Sequence, residues 1–146
     1  MKCPTCSSET RVLESRDISD STAIRRRREC KDCEHRFTTY ERPELSVRVV
    51  KKDGTREEFD QDKLKKGIMK SCEKRPVSNE DVEELIRNVV KKIRRKGINE
   101  IDSTEIGSLV MEELKDLDKV AYIRFASVYK SFDLESLEKE IKTIKR

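Results

Sequence analysis

Tryptophan is absent from this chain, while proline occurs three times, glycine four times and histidine once. So little proline and glycine, with Leu, Ile and Val recurring periodically beyond residue 45, excludes a disordered chain. Apolar side chains are also scarce. At 34% hydrophobic and 44% charged, 146 residues cannot fill one large core, and a small cysteine-bearing module beside a helical module is expected. No apolar run approaches the roughly eighteen residues needed to cross a bilayer, and Met1-Lys2-Cys3 lacks the apolar stretch of a signal peptide. A cytoplasmic location without membrane contact is expected. There is no Gly-x-x-x-x-Gly-Lys loop and no pairing of base with nucleophile, so the chain reads as non-enzymatic, without catalytic residues.

A net charge of +4 between 34 basic and 30 acidic side chains is too small to mark a nucleic-acid binder by itself. Residues 1–46 are nearly balanced, with ten Lys/Arg against nine Asp/Glu. Local clustering decides instead. Five cysteines, an odd number in a reducing compartment, point to metal rather than disulfides. Cys3-Pro4-Thr5-Cys6 and Cys30-Lys31-Asp32-Cys33 form two Cys-x-x-Cys knuckles with twenty-three residues between them, the spacing of a four-cysteine zinc ribbon. Each knuckle lets two thiolates approach one ion, and the loop between them supplies a β-hairpin that brings the knuckles together in tetrahedral geometry. A thioredoxin-like redox pair would need a βαβ unit that so short a segment cannot hold, and an iron–sulfur centre fits less well. Four thiolates close the site, so one structural Zn²⁺ per chain is expected, and His35 becomes redundant as a ligand.

Arg25, Arg26, Arg27 and Arg28 form the densest basic run and lead into the second knuckle. Extended backbone would send alternate arginines to opposite faces. Such a run alone is either a solvated patch or a nucleic-acid contact; beside a rigid ribbon, with Arg16 in the preceding arm, contact with double-stranded DNA is the better reading. Phe37 to Glu41 reads as a strand closing the ribbon with its aromatics packed on it.

The stretch Val49 to Leu64 compresses strand, turn, strand and helix start. Asp53-Gly54 suits a two-residue hairpin turn with positive φ angles. Lys51, Lys52 and Lys63 then converge near one strand end, which is either a solvated hairpin or a cation cluster. Asp60 caps a helix with Leu64, Ile68 and Cys72 on its apolar face, so Cys72 is core. Ser78 to Asp81 is a capping box before a helix carrying Val82, Leu85, Ile86, Val89 and Ile93, stopped by Gly97. An extended piece over 98–101, a capped helix from about Thr104, and a helix opened by Asp118 and apolar on several sides complete four helices and a hairpin.

The series Val-x-Lys-Lys-Asp-Gly-x-x-Glu-x-Phe-Asp-x-x-Lys-Leu from Val49 resembles the signature of the ATP-cone, a small nucleotide-sensing domain. Ribbon first and cone second resembles the NrdR family, bacterial transcriptional repressors of ribonucleotide reductase genes. The resemblance implies an α+β fold: a zinc ribbon over 1–44 that binds DNA, an ATP-cone of β-hairpin and four-helix bundle over 45–132, and a short C-terminal helix over 133–146. It implies contacts to operator DNA from Arg16 and Arg25 to Arg28. It also implies that the main chain at Val49 meets adenine, that Lys51, Lys52 and Lys63 neutralise phosphates, and that Glu57, Asp60 and Ser103 orient base, sugar or metal. Tyr129 and Lys130 are further candidates. Lys52 stands where many members carry arginine. ATP and dATP would be the regulatory ligands, with associated Mg²⁺, bound without hydrolysis.

In the tail, Leu134, Leu137, Ile141 and Ile144 make an a/d stripe on a charged helix, which suits folding back on the cone or a subunit contact equally. The function implied is a repressor whose homo-oligomeric assembly, and hence operator binding, follows the nucleotide state. The alternative is a nucleotide-sensing module that docks on a protein such as a reductase without binding DNA.

Overall fold

Strand-forming sequence occupies the first third of the chain and helix-forming sequence most of the rest, and the α+β architecture follows that division. The computed structural model describes residues 1–19, 21–130 and 132–146. The chain divides into two units, Met1–Glu44 and Leu45–Arg146.

In the first unit, β1 (Thr10–Ile18), β2 (Ala23–Cys30) and β3 (Arg36–Glu41) form an antiparallel sheet with β2 central. A bulge at Leu13 shifts the β1–β2 register between Val12 and Glu14. The buried apolar residues among those described in this unit are only Cys3, Ala23 and Cys30. Tyr40, expected to pack on the ribbon, is exposed and lies beneath the Arg42 guanidinium, 4.9 Å from its ring centroid. There is too little apolar surface here to bury it, so its ring is covered by a cation instead.

In the second unit, β4 (Arg48–Val50) pairs antiparallel with β5 (Arg56–Glu58) and parallel with β6 (Glu100–Asp102). The expected hairpin is therefore two strands of a three-stranded sheet, its third strand supplied by the extended piece after Gly97. The hairpin turn also differs from expectation. Gly54 N–H donates to Lys51 O at 2.9 Å and Lys51 N–H to Thr55 O at 2.8 Å, so Lys52-Asp53-Gly54 form a three-residue loop in which only Gly54 has positive φ, +86°. Asp53 escapes the left-handed region because its carboxylate binds the Thr55 N–H at 2.9 Å and hydroxyl at 2.6 Å, a local turn that holds the loop.

Four helices cover the sheet: α1 (Gln61–Ser71), α2 (Asn79–Lys96), α3 (Ser103–Leu117) and α4 (Lys119–Lys130). The Asp60 carboxylate accepts from the N–H groups of Asp62 and Lys63, Ser78 and Asp81 form the reciprocal capping box, and Gly97 ends α2 at φ 61°. Asp102 precedes α3 without a side-chain cap bond, unlike the capped start expected; the backbone there is held by β6 pairing with β4. Ile68, Ile86, Val89, Ile93, Val110 and Leu114 form the centre of the core, with Val47, Val49 and Ile101 from the strands. In α4, Ala121, Tyr122, Phe125 and Ala126 are buried, while Val120 and Val128 are exposed, so this helix is one-sided rather than central.

The tail forms α5 (Leu134–Lys145), which lies back on α4. Ile144 is buried and Tyr122 donates a hydrogen bond to Glu140, yet Leu134 is 82% exposed. Part of the apolar stripe thus belongs to the core and its first member does not.

One buried ion pair fastens the start of α4. Asp118, its side chain 7% exposed, receives Arg75 Nε at 3.1 and 3.0 Å on its two oxygens and the Ala121 N–H at 2.8 Å. The Arg75 guanidinium holds the Asp118 carboxyl below its usual range, against the opposing effect of burial. A depressed folded-state pKa stabilises above the unfolded value and is lost as pH falls through the folded one, so this contribution should fade below about pH 4. Asp118→Ala should cost the cone about 3 kcal/mol, and Asp118→Asn about half that because the amide oxygen still caps Ala121. Urea melts at pH 7 and pH 3 check both: the gap between wild type and Asp118→Asn should be smaller at the lower pH.

Candidate metal centre and nucleotide cleft

The two knuckles are built alike. Cys3 N–H donates to Ser8 O at 2.8 Å and Cys30 N–H to His35 O at 2.9 Å, each spanning five residues. In both, the residue after the second cysteine has positive φ: Ser7 at 64° and Glu34 at 59°. Neither is glycine, so no composition signal marks these positions, and the strain persists because the surrounding turn dictates it.

The knuckles bring all four sulfurs within 4.8 Å of one another. Separations of 3.7 Å for Cys3–Cys33, 3.4 Å for Cys6–Cys30 and 3.5 Å for Cys6–Cys33 are close to the ~3.8 Å edge of a tetrahedron with Zn–S bonds of ~2.3 Å. Protonation shows the same crowding. Hydrogen bonds from the Ser8 backbone and hydroxyl lower the Cys6 thiol to about 6. The His35 backbone N–H favours the Cys33 thiolate, but burial and the three neighbouring sulfurs outweigh it and raise Cys33 to about 12. Four thiolates cannot share so small a volume without a cation, and Zn²⁺ fits the donor set, the spacing and the closed geometry. His35 lies at the surface, its ring stacked on Phe37 at 5.9 Å, and is not among the residues whose ligand atoms converge at the four-sulfur site.

Beside the centre, β2 carries the arginine run. Arg25 stands opposite Arg16 and Tyr40, Arg26 opposite Ser15 and Thr39, Arg27 opposite Glu14 and Thr38, and Arg28 opposite Val12 and Phe37. Arg16 pairs with Glu14 at 2.7 Å and Arg26 with Glu41 at 3.5 Å. Arg27 donates to the Thr38 hydroxyl at 3.0 Å, and Arg28 to those of Thr39 and Thr10 at 3.4 Å each.

In the second unit, a cleft of about 240 Å³ opens between the hairpin and helices α1, α3 and α4. Val49, Lys51, Glu57, Asp60, Lys63, Ser103 and Tyr129 line it. Lys52 and Lys130 do not: Lys52 Nζ donates to the Tyr129 carbonyl at 3.2 Å, and Lys130 Nζ lies 3.7 Å from Glu140 of α5. Lys52 sits at the loop tip, where its amine reaches across to the end of α4. Glu58, Phe59, Leu64 and Ile106 also line the cleft; Phe59, Leu64 and Ile106 are core-facing positions, and their apolar periodicity was the signal that they lie inside.

Glu57 organises the cations of the cleft. Its carboxylate takes Lys51 at 3.1 Å on one oxygen and Lys63 at 3.1 Å on the other, and the Lys51 and Lys63 ammonium groups hold its pKa below the usual range. Two cations are thus gathered at one point. At the cleft wall, the Tyr129 ring stacks on Phe125 at 4.5 Å and lies against Gly107. A Cβ at Gly107 would fall 2.4 Å from that ring, so the glycine is what allows Tyr129 to reach its place.

Comparison with known proteins meets this geometry at both units. The profile of the ATP cone domain matches residues 47–135, and that of the transcriptional repressor NrdR-like N-terminal domain, a zinc ribbon, matches residues 1–41. A protein of Petrotoga mobilis named transcriptional repressor NrdR is 56% identical over 148 aligned positions, covering 99% of both chains. The chain belongs to the NrdR family. NrdR proteins of Bacillus cereus and Streptococcus sanguinis are 54% and 53% identical, covering 99% and 97% of this chain and 96% and 94% of theirs. These relatives are named as repressors, a role that needs no catalytic residues. As an NrdR protein the chain is a transcriptional repressor with a zinc ribbon and an ATP-cone, and none of its described helices is long and apolar enough to cross a membrane.

Proposed function

We propose that this NrdR protein binds ATP and dATP in the cone and represses ribonucleotide reductase genes by binding their operators through the ribbon in only one nucleotide state. The observation that carries the reading is a single chain joining a closed four-thiol centre, flanked by Arg16 and Arg25 to Arg28, to a cone whose cleft gathers Lys51 and Lys63. A triphosphate needs convergent cations, and these two lysines would exchange Glu57 for phosphate oxygens. Glu57 would then be released and, with Ser103, would face the sugar or a Mg²⁺ that travels with the phosphates. Asp60 serves as the α1 cap, Val49 offers main chain to the base, and Tyr129 walls the site. Lys52 and Lys130, at the cleft's margin, would respond to occupancy through the Tyr129 carbonyl and Glu140.

Control of DNA binding follows if each nucleotide state favours a different homo-oligomer, since a ligand shifts an equilibrium only by its differential affinity for the two states. The exposed Val128 and Leu134, at the end of α4 and the start of α5, are apolar surface available for such assembly. Paired ribbons would multiply a weak single-site affinity.

The test is fluorescence anisotropy of the zinc-loaded protein on DNA from upstream of its organism's ribonucleotide reductase genes, against scrambled DNA. Specific binding should change by about tenfold or more between no nucleotide, ATP, and ATP with dATP, the size of an ordinary coupling free energy. Identical binding in all three conditions would overturn the coupling. Absence of DNA binding alongside intact nucleotide binding would transfer the function to docking on a protein partner.

A further inference from the structure

The arginines of the ribbon divide by face. Directly paired residues in an antiparallel sheet share a face, and successive residues alternate. The β1–β2–β3 register, with the bulge taken into account, puts Arg11, Arg16, Arg25, Arg27 and Arg36 on one face with Glu14 and Glu29. The other face holds Arg26 and Arg28 with Asp17 and Glu41. The first face is a cationic stripe and the second is charge-balanced. Every observed side-chain bond respects the division: Arg11 and Arg36 meet Glu29 at 2.5 and 2.8 Å, Arg27 meets Thr38, Arg26 meets Glu41, and Arg28 meets Thr39 and Thr10.

The centre of the stripe has an unresolved charge. Arg16 and Arg25 are directly opposite one another, and like charges in that position destabilise a sheet. Arg16 has Glu14 for company, but Arg25 has no side-chain partner among the described residues. An anion seated between the two guanidiniums removes the conflict. At the zinc end, the buried Glu29 uses one oxygen for each of Arg11 and Arg36, so both guanidiniums are fixed to the same face while remaining more than 60% exposed. Rows along the strands are spaced by about 7 Å, so the stripe presents cations at successive, fixed intervals.

We propose that the ribbon grips duplex DNA with this one face: Arg16 and Arg25 hold a phosphate between them, Arg27, Arg11 and Arg36 extend the track, and Arg26 and Arg28 brace the opposite face. The proposal rests on the DNA-binding reading above and divides its candidate arginines. Glu29 is a positioning residue, acting through the two arginines it holds.

The experiment measures salt dependence on the same upstream duplex, with zinc-loaded full-length protein in the nucleotide condition that gives binding. Each lost phosphate contact lowers the magnitude of the slope of log K against log salt by about 0.9, so R16Q/R25Q, which together hold one phosphate, should lower it by about 0.9 while R26Q/R28Q leaves it unchanged. Wild-type protein supplies a second reading independent of folding in the variants: on adding DNA, the side-chain Nε–H resonances of Arg16 and Arg25 should shift and those of Arg26 and Arg28 should stay. Equal slope losses in both zinc-retaining variants, or equal shifts at all four arginines, would overturn the one-face assignment. Failure of wild-type protein to bind the duplex at all is seen before any variant is used, and would overturn the DNA reading itself.

Discussion

The Cys30→Ala variant is expected to bind no zinc and to lose the fold of Met1–Glu44, while Leu45–Arg146 keeps its own unfolding transition. The reason lies in what the ribbon lacks. Val12, Leu13 and Tyr40 are exposed, and the apolar residues it buries among those described are two zinc ligands and one alanine. Segments this short rarely stand on apolar burial alone, and a structural zinc contributes about 10–16 kcal/mol to such folds. That exceeds any other single interaction in the chain. Cys30 is the sharpest position to test because it is 1% exposed and joins the metal centre to the end of β2, the strand that carries the arginine run. Zinc content by atomic absorption and the spread of amide resonances read the result. Dispersed resonances from Thr10 to Glu41 in zinc-free Cys30→Ala protein would show that the sheet holds itself. A chelator should produce the same loss in wild-type protein, reversed by added zinc.

Legibility in the sequence tracked how local the controlling interactions are. The knuckles, the Ser78–Asp81 capping box and the Gly97 stop are set by residues within a few positions of one another, and each stands in the fold as its pattern implied. Patterns that depend on distant partners were less legible. An extended piece over 98–101 was legible, but its partner was not: β6 is a strand by lying parallel to β4, about fifty residues earlier. Asp53-Gly54 has the composition of a two-residue turn, but a side-chain bond from Asp53 to Thr55 tipped the loop to three residues. Leu134 belongs to a regular stripe, yet it stays exposed while Leu137 and Ile141 are half-buried and Ile144 is buried.

In the cleft, the hairpin and the start of α1 bring Lys51, Glu57, Asp60 and Lys63 together over thirteen residues, so their clustering follows from local order. Ser103 and Tyr129 arrive from elements far along the chain, and only the family resemblance had singled them out. The face division of the ribbon arginines was out of reach for a different reason. Alternation along β2 was evident, but which face each neighbour joined depended on the bulge at Leu13, which a sequence pattern does not announce.

The second large effect is expected in that cleft. A Lys51→Ala, Lys63→Ala double variant should bind ATP about a hundredfold more weakly than wild type, roughly tenfold for each charge-assisted phosphate contact removed. Calorimetric titration at low salt reads it. The fold gives little reason for the variant to fail structurally, since both side chains are substantially exposed and, among the described residues, bind only Glu57. Exposure also sets the salt dependence: the gap between double variant and wild type should narrow as ionic strength rises, because screened surface charges lose most of their pull beyond about 8–10 Å. Glu57→Gln separates two roles for the carboxylate. If Glu57 only neutralises the lysines until phosphate replaces it, the amide should bind triphosphate more tightly than wild type; if it holds the sugar or a Mg²⁺, the amide should bind more weakly. Binding by the double variant within twofold of wild type would remove these lysines from phosphate recognition and return the pair to a solvated ion-pair cluster around Glu57.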